Sequence, residues 1–190
     1  MDAMPGSSLT GRLIVATPDL EDPNFRRAVV LLLEHGPEGA VGVVLDRPLD
    51  LTVAEALPTW SDYAAAPPVL FAGGPVEQDA AIALGRLRHP CVDPAPFGRS
   101  VAGDLVTVDL DAAPPEADGL LVALRVYAGY AGWGPGQLDA EVATGSWFVL
   151  DAEPGDAWSD HPEGLWRSVL RRQPGALAMF AGFPDDPTHN

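Results

Sequence analysis

The stretch Gly129-Tyr130-Ala131-Gly132-Trp133-Gly134-Pro135-Gly136-Gln137-Leu138 packs glycines, two aromatic residues and a proline into ten positions. Val122 to Ala128 before it is apolar and reads as a strand. Gly134-Pro135 reads as the start of a helix over Pro135 to Ala143, and Gly145 as its stop, because proline suits a first helical turn and glycine a position just past the last. The stretch is therefore expected to form a strand-to-helix corner. Leu138 and Val142, four residues apart, share one face of that helix, while Asp139 and Glu141 point elsewhere.

Working outward, Leu13 to Ala16 is a short apolar run stopped by Thr17-Pro18, as a buried strand feeding a loop would be. Asp19 to Phe25 is an acidic, turn-rich loop. Its Asp19, Glu21 and Asp22 have the oxygen chemistry of a hard-cation site, but turn chemistry alone accounts for them. Arg26 to His35 and Val41 to Leu45 read as two strands of a hairpin turning at His35-Gly36-Pro37-Glu38-Gly39. Thr52-x-x-Glu55 has the spacing of a capping box and starts a short helix. Val69 to Phe71 returns as a strand, and Ala72-Gly73-Gly74-Pro75-Val76 follows, a tight turn or an exposure of backbone amides to an anion. Ala80 to Leu87, Leu105 to Leu110 and Ser146 to Leu150 read as strands, with Pro94 to Gly103 as a loop. Asp160-His161-Pro162-Glu163 repeats the capping-box spacing before a helix whose apolar stripe is Leu165, Trp166, Val169 and Leu170. Arg171-Arg172 suits the negative end of that helix.

Three of these stretches together carry a family resemblance: GYAGWGPGQLDAEV, LIVATPDLEDPNFRRAVVLLLEHGPEGAVGVVLDRP, and the Ala72 to Val76 turn. The chain resembles the AlgH-like (YqgE) family of bacterial proteins over residues 9–190, with 1–8 as a frayed terminus. The resemblance implies a single α+β domain, with a bent mixed sheet partly closed into a small barrel and helices packed around it. It implies no settled activity and no catalytic residues, although some members carry a regulatory name tied to transcription. The family pattern reads Asn-Arg-Pro where this chain has Asp46-Arg47-Pro48.

Composition narrows the chemistry. The formal net charge is −16 with a pI near 4.3, which repels phosphate backbones and anionic membranes, so direct nucleic-acid or membrane contact is disfavoured. No lysine occurs, which removes Schiff-base, P-loop-lysine and Ser-Lys chemistries. Cys91 is the single cysteine, so no internal disulfide or cysteine-rich zinc site forms; with His89 two residues before it, it offers only a strained Cys-His pair. The four histidines, at 35, 89, 161 and 189, lack metal-ligand spacing. Ser159-Asp160-His161 is contiguous and does not reach triad geometry. The longest apolar run is Ala28 to Leu33, too short to span a bilayer, and no leader pattern precedes it, so the expected location is cytoplasmic. No cofactor or metal is implied.

What remains is a groove. If Gly73-Gly74 lie near Gly134-Pro135-Gly136, their amides, with Arg26 and Arg47, favour a small anion on which Tyr130 and Trp133 stack, Gln137 lying at the helix start. The alternative is that the aromatics fill a core corner and the glycines only permit the turn. Two functions follow: a non-enzymatic binding or regulatory module acting through a protein partner or small anionic ligand, or an enzyme on a phosphorylated or carboxylated metabolite using His35, Asp46 or Glu141 as acid or base.

Overall fold

The structure is a computed structural model that describes residues 7–90, 98–112, 114 and 119–184. It is an α+β fold built on a ten-stranded mixed sheet. The strands are β1 (Leu13–Ala16), β2 (Val29–Gly36), β3 (Gly39–Val44), β4 (Pro48–Thr52), β5 (Val69–Ala72), β6 (Val76–Leu87), β7 (Gly98–Ala102), β8 (Leu105–Val108), β9 (Leu121–Trp133) and β10 (Trp147–Leu150). The helices are short: α1 (Val53–Ala56), α2 (Gln137–Ala143), α3 (Leu165–Arg171) and α4 (Leu177–Phe180). No helix among the described residues is long and apolar enough to cross a membrane.

β9 is the strand on which the sheet is assembled. Along one edge it pairs with β6, from Leu87 opposite Leu121 to Val76 opposite Tyr130. Its other edge changes partner: β5 runs parallel to it at Tyr127 and Ala128, and β3 runs antiparallel to it from Ala131 to Trp133. Gly129 sits between these partners with φ +71°. A Cβ there would lie 2.7 Å from the Gly74 carbonyl oxygen and 2.8 Å from that of Val76. Glycine is thus required twice over, for the left-handed backbone and for the close approach. The expected strand-to-helix corner is displaced accordingly: pairing with β3 keeps the chain extended through Trp133, and α2 begins only at Gln137 after a left-handed Gly136.

Strand order runs β10-β1-β2-β3-β9-β6-β8-β7, with β4-β5 branching from β9. The terminal strands β10 and β7 do not pair with each other, so the sheet is open and the expected partial barrel is not formed. The reason is local. The stretch of β2 beyond β1 is already covered by residues 8–12: Gly11 N donates to Leu32 O, Leu9 N to His35 Nδ1, and His35 N to Thr10 Oγ1. β7 therefore meets this segment, with Ala102 closely approaching Gly11, rather than a free backbone edge of β2.

Both faces of β1 are buried, because alternate residues enter different clusters: Leu13 and Val15 pack with α3, and Ile14 and Ala16 with Trp133, Leu138 and Trp147. Trp166 of α3 donates its indole N–H to Ala16 O at 2.8 Å, tying the helix to this strand. The Thr52–Glu55 capping box is present in both directions. The second expected box, at Asp160 to Glu163, is not: Pro162–Gly164 forms a 3-10 turn without a side-chain cap, and α3 starts after it at Leu165.

Candidate functional site

Four of the candidate residues, Arg47, Trp133, Gly134 and Gln137, meet in one network with Glu141. Trp133 is buried against Phe25 and Trp147, with ring centroids 5.9 and 6.0 Å away. Its Nε1 donates to Glu141 Oε2, and Gln137 bridges the helix start by donating to Glu141 Oε1 and accepting from Gly134 N. Arg47 reaches the same network from behind: its guanidinium donates to Pro23 O and Arg26 O, fixing the loop that carries Phe25. Arg26 itself is exposed, and Gly136 faces open space.

Gly73 and Gly74 lie elsewhere. Gly73 N donates to Ala128 O, and Gly73 O accepts from Val44 N, so neither group is turned outward as an anion cradle. A Cβ on Gly74 would lie 2.2 Å from the Tyr130 backbone. Trp133 pairs with Ala40 at one end of β3, whereas Gly73 is bonded to Val44 at the other, roughly 13 Å along the strand at ~3.3 Å per residue. The two glycine motifs therefore do not converge on one groove. Tyr130 is half-buried and packs against the α3-side core.

The acid-base candidates are held by structural partners. His35 Nδ1 accepts from Leu9 N at 3.1 Å, which places the proton of the neutral ring on Nε2, 3.4 Å from Asp139 Oδ1. Asp46 accepts from Val29 N, and burial pushes its carboxyl up to about 7 despite Arg47 beside it. Glu141 accepts from Trp147 as well as Trp133 and Gln137. In the acidic loop, Asp22 Oδ1 accepts from Asn24 N, an ordinary turn contact, and among the described residues no three His, Cys, Asp or Glu cluster as metal ligands. His89 is exposed, while Cys91 and most of the 111–118 connection lie outside the described residues.

Sequence reasoning missed the seam where β7 faces β2. Gly98–Ala102 reads as a loop because glycine, arginine and serine favour strands poorly, yet its register with β8 makes it a strand. Among the described residues β7 pairs with β8 alone. Its Arg99 reaches across to an ion pair with Glu34 of β2, and a cleft of about 420 Å³ opens beside that pair. Thr10, Glu34, Glu38, Arg99, Ser100 and Thr107 are among its walls.

Arg125 was also missed, although a lone charge within the apolar run Leu121 to Tyr127 is a readable signal. It is only 2% exposed and lies over the Phe71 ring at 4.5 Å. One of its Nη atoms donates to Ala157 O and Ser159 O, both at 3.0 Å, and the other to Ala66 O. Burial lowers its affinity for its proton, and the nearby Tyr127 phenol, itself buried, is pushed upward. Chemically this is a staple: one guanidinium fixes two irregular segments against β9.

Comparison with known proteins places this architecture. The AlgH-like family model matches residues 13–178. A UPF0301 protein of Streptomyces avermitilis is 54% identical over 186 residues, spanning 97% of this chain and 96% of the relative, and one of Thermobifida fusca is 48% identical over 96% of each. A crystal structure of a Corynebacterium diphtheriae protein superposes with a TM-score of 0.87 at 34% identity, covering 96% of this chain and 95% of the other. The solution structure of the Pseudomonas aeruginosa AlgH protein does so with 0.65 at 27%, covering 97% and 98%. The chain belongs to the AlgH-like family.

Proposed function

We propose that this protein is a non-enzymatic, cytoplasmic binding module that acts through a protein partner, and that the partner lays an extended segment along β7. The observation that carries this reading is the seam: β7 is a terminal strand with one pairing neighbour among the described residues, and its other side lies by the cleft that holds Glu34 and Glu38. Such an edge accepts a further strand through main-chain hydrogen bonds, while side chains around it select the sequence. Glu34 is matched by Arg99, but Glu38 at the cleft and a net charge of −16 favour a basic segment. A regulatory role would then run through protein contact, not through a DNA duplex.

The engagement of His35, Asp46 and Glu141 supports a binding role over catalysis, since a general base must reach a substrate proton. A small anion at Arg26 and Arg47 stands second, because the Arg47 guanidinium is already turned to the carbonyls of Pro23 and Arg26.

The test is site-specific photocrosslinking in the native host, with the crosslinker at Ser100 and, as control, at Asp50 on β4. A discrete product should form from Ser100 only, and should be lost on Glu38→Arg. Equal labelling from both positions, or none from Ser100, refutes the reading.

A further inference from the structure

A second cavity, of about 220 Å³, lies below the seam. Its floor is Leu31, Leu45 and Leu105, one wall is the β7–β8 turn at Ala102 and Gly103, and the other is the irregular segment from Ala152 to Trp158. We propose that it is a binding site for a small uncharged molecule with a flat or aliphatic apolar body.

The wall is held in place rather than loosely draped. Three arginines from separate parts of the chain fix it and the residues just before it. Arg12 donates to Leu150 O and pairs with Asp151 at 3.0 Å. Arg172, just past α3, makes a bidentate pair with the buried Asp156, both contacts at 2.6 Å, and reaches Glu153 at 3.3 Å. Arg125 holds Ala157 O and Ser159 O from the core side. Within the segment Glu153 N donates to Asp156 Oδ2, Asp156 N to Glu153 O and Trp158 N to Gly155 O, so turn and arginines together pre-order it, which removes an entropic cost from any ligand it encloses. The opposite wall closes because residue 11 is glycine: a Cβ there would lie 2.9 Å from that of Ala102.

Size and charge select the ligand class. An apolar cavity of roughly 150 Å³ holds a benzene ring, so this one suits a bicyclic ring of indole size. The carboxylates at its rim are already matched, Asp104 by Arg86 at 3.1 Å and Glu153 and Asp156 by Arg172. An entering ion would lose its hydration without meeting an unpaired opposite charge, which disfavours charged ligands.

The experiment is a titration of ¹⁵N-labelled full-length protein with indole, followed by amide chemical shifts, with indole-3-acetate and tryptamine as charged counterparts. Saturable shifts should centre on Gly11, Ala102, Leu105 and Ala157, and both charged analogues should bind at least about tenfold more weakly. Ala157→Leu and Leu105→Phe each fill the cavity and should abolish the shifts while spectral dispersion is retained. If either variant loses its dispersion, the comparison of the three ligands on the unaltered protein decides. Shifts that are absent, centred elsewhere, undiminished in a folded filled variant, or equally strong with a charged analogue overturn the proposal. The outcome is independent of the β7 partner, since the crosslinking test reads the other cleft.

Discussion

Trp133 and Trp147 donate their indole N–H groups to the same oxygen: Glu141 Oε2 accepts both, at 3.0 and 2.9 Å. One side chain on α2 thus satisfies the polar atoms of two large core rings, from β9 and β10. Glu141→Ala strands two buried donors, each costing about 1–3 kcal/mol, so unfolding in urea should show a loss of roughly 2–6 kcal/mol with altered tryptophan emission. Glu141→Gln retains an acceptor and should lose clearly less. Equal losses in the two variants would show that packing, not hydrogen bonding, dominates there.

Gly129 and Gly136 both have left-handed backbones, with φ near +70°, but only Gly129 is crowded. Alanine at Gly136 meets open space and should cost about 1–2 kcal/mol from the backbone alone. Alanine at Gly129 adds a clash with two carbonyl oxygens and should prevent accumulation of folded protein. Circular dichroism melts of both variants check the contrast.

Asp46 gives stability a pH dependence with an unusual sign. Its folded-state carboxyl is raised from 3.8 to about 7 by burial, so the folded state holds the proton more tightly than the unfolded chain. The associated stability is fully present below about pH 4, falls as pH rises towards 7, and is level above it. Asp46→Asn removes the titration. It should raise stability modestly at pH 5, by about 1–2 kcal/mol, and further at pH 8, by up to about 4 kcal/mol, at ~1.4 kcal/mol for each tenfold change in proton affinity. Denaturation curves at the two pH values test this; a gain that is equal at both would remove Asp46 as the titrating group.

The Arg99–Glu34 pair spans the seam, but both side chains are exposed, at 73% and 52%. Surface pairs of this kind contribute about 0–1 kcal/mol. A double-mutant cycle with Arg99→Ala and Glu34→Ala should give a coupling within that range, smaller still in high salt. A larger, salt-insensitive coupling would mean that the seam is a rigid closure and not a surface that a partner can open.

The parts legible in the sequence were those governed by local chemistry. The β2–β3 hairpin follows from its turn residues, α1 from Thr52 and Glu55, and the buried stripe of α3 from its spacing. The strands missed were those made by their neighbours. β4 and β7 are short, polar and glycine- or proline-containing, and pairing with β5 and β8 overrides their weak propensity. Gly129 reads as a strand breaker, whereas in the fold it lets β9 continue between two partners. Arg47 and Trp133 belong to one network, as their character suggested, but the link between them is Phe25, whose role depends on a tertiary contact that no local pattern displays.

The dependence of so many strands on β9 also sets an order of events during synthesis. β3, β5 and β6 emerge from the ribosome before the neighbour they share, β9, exists, and the outer edge of β1 waits longer still, since the Arg12–Leu150 contact beside it joins positions 138 residues apart. A nascent chain halted before residue 121 can pair β1–β2–β3, β4–β5 and β6–β8–β7 but lacks the strand that joins these groups, so assembly of the sheet must be late and dominated by long loops. During that interval the apolar run from Val29 to Leu33 is bare, and chaperone capture or aggregation competes with the arrival of the rest of the chain.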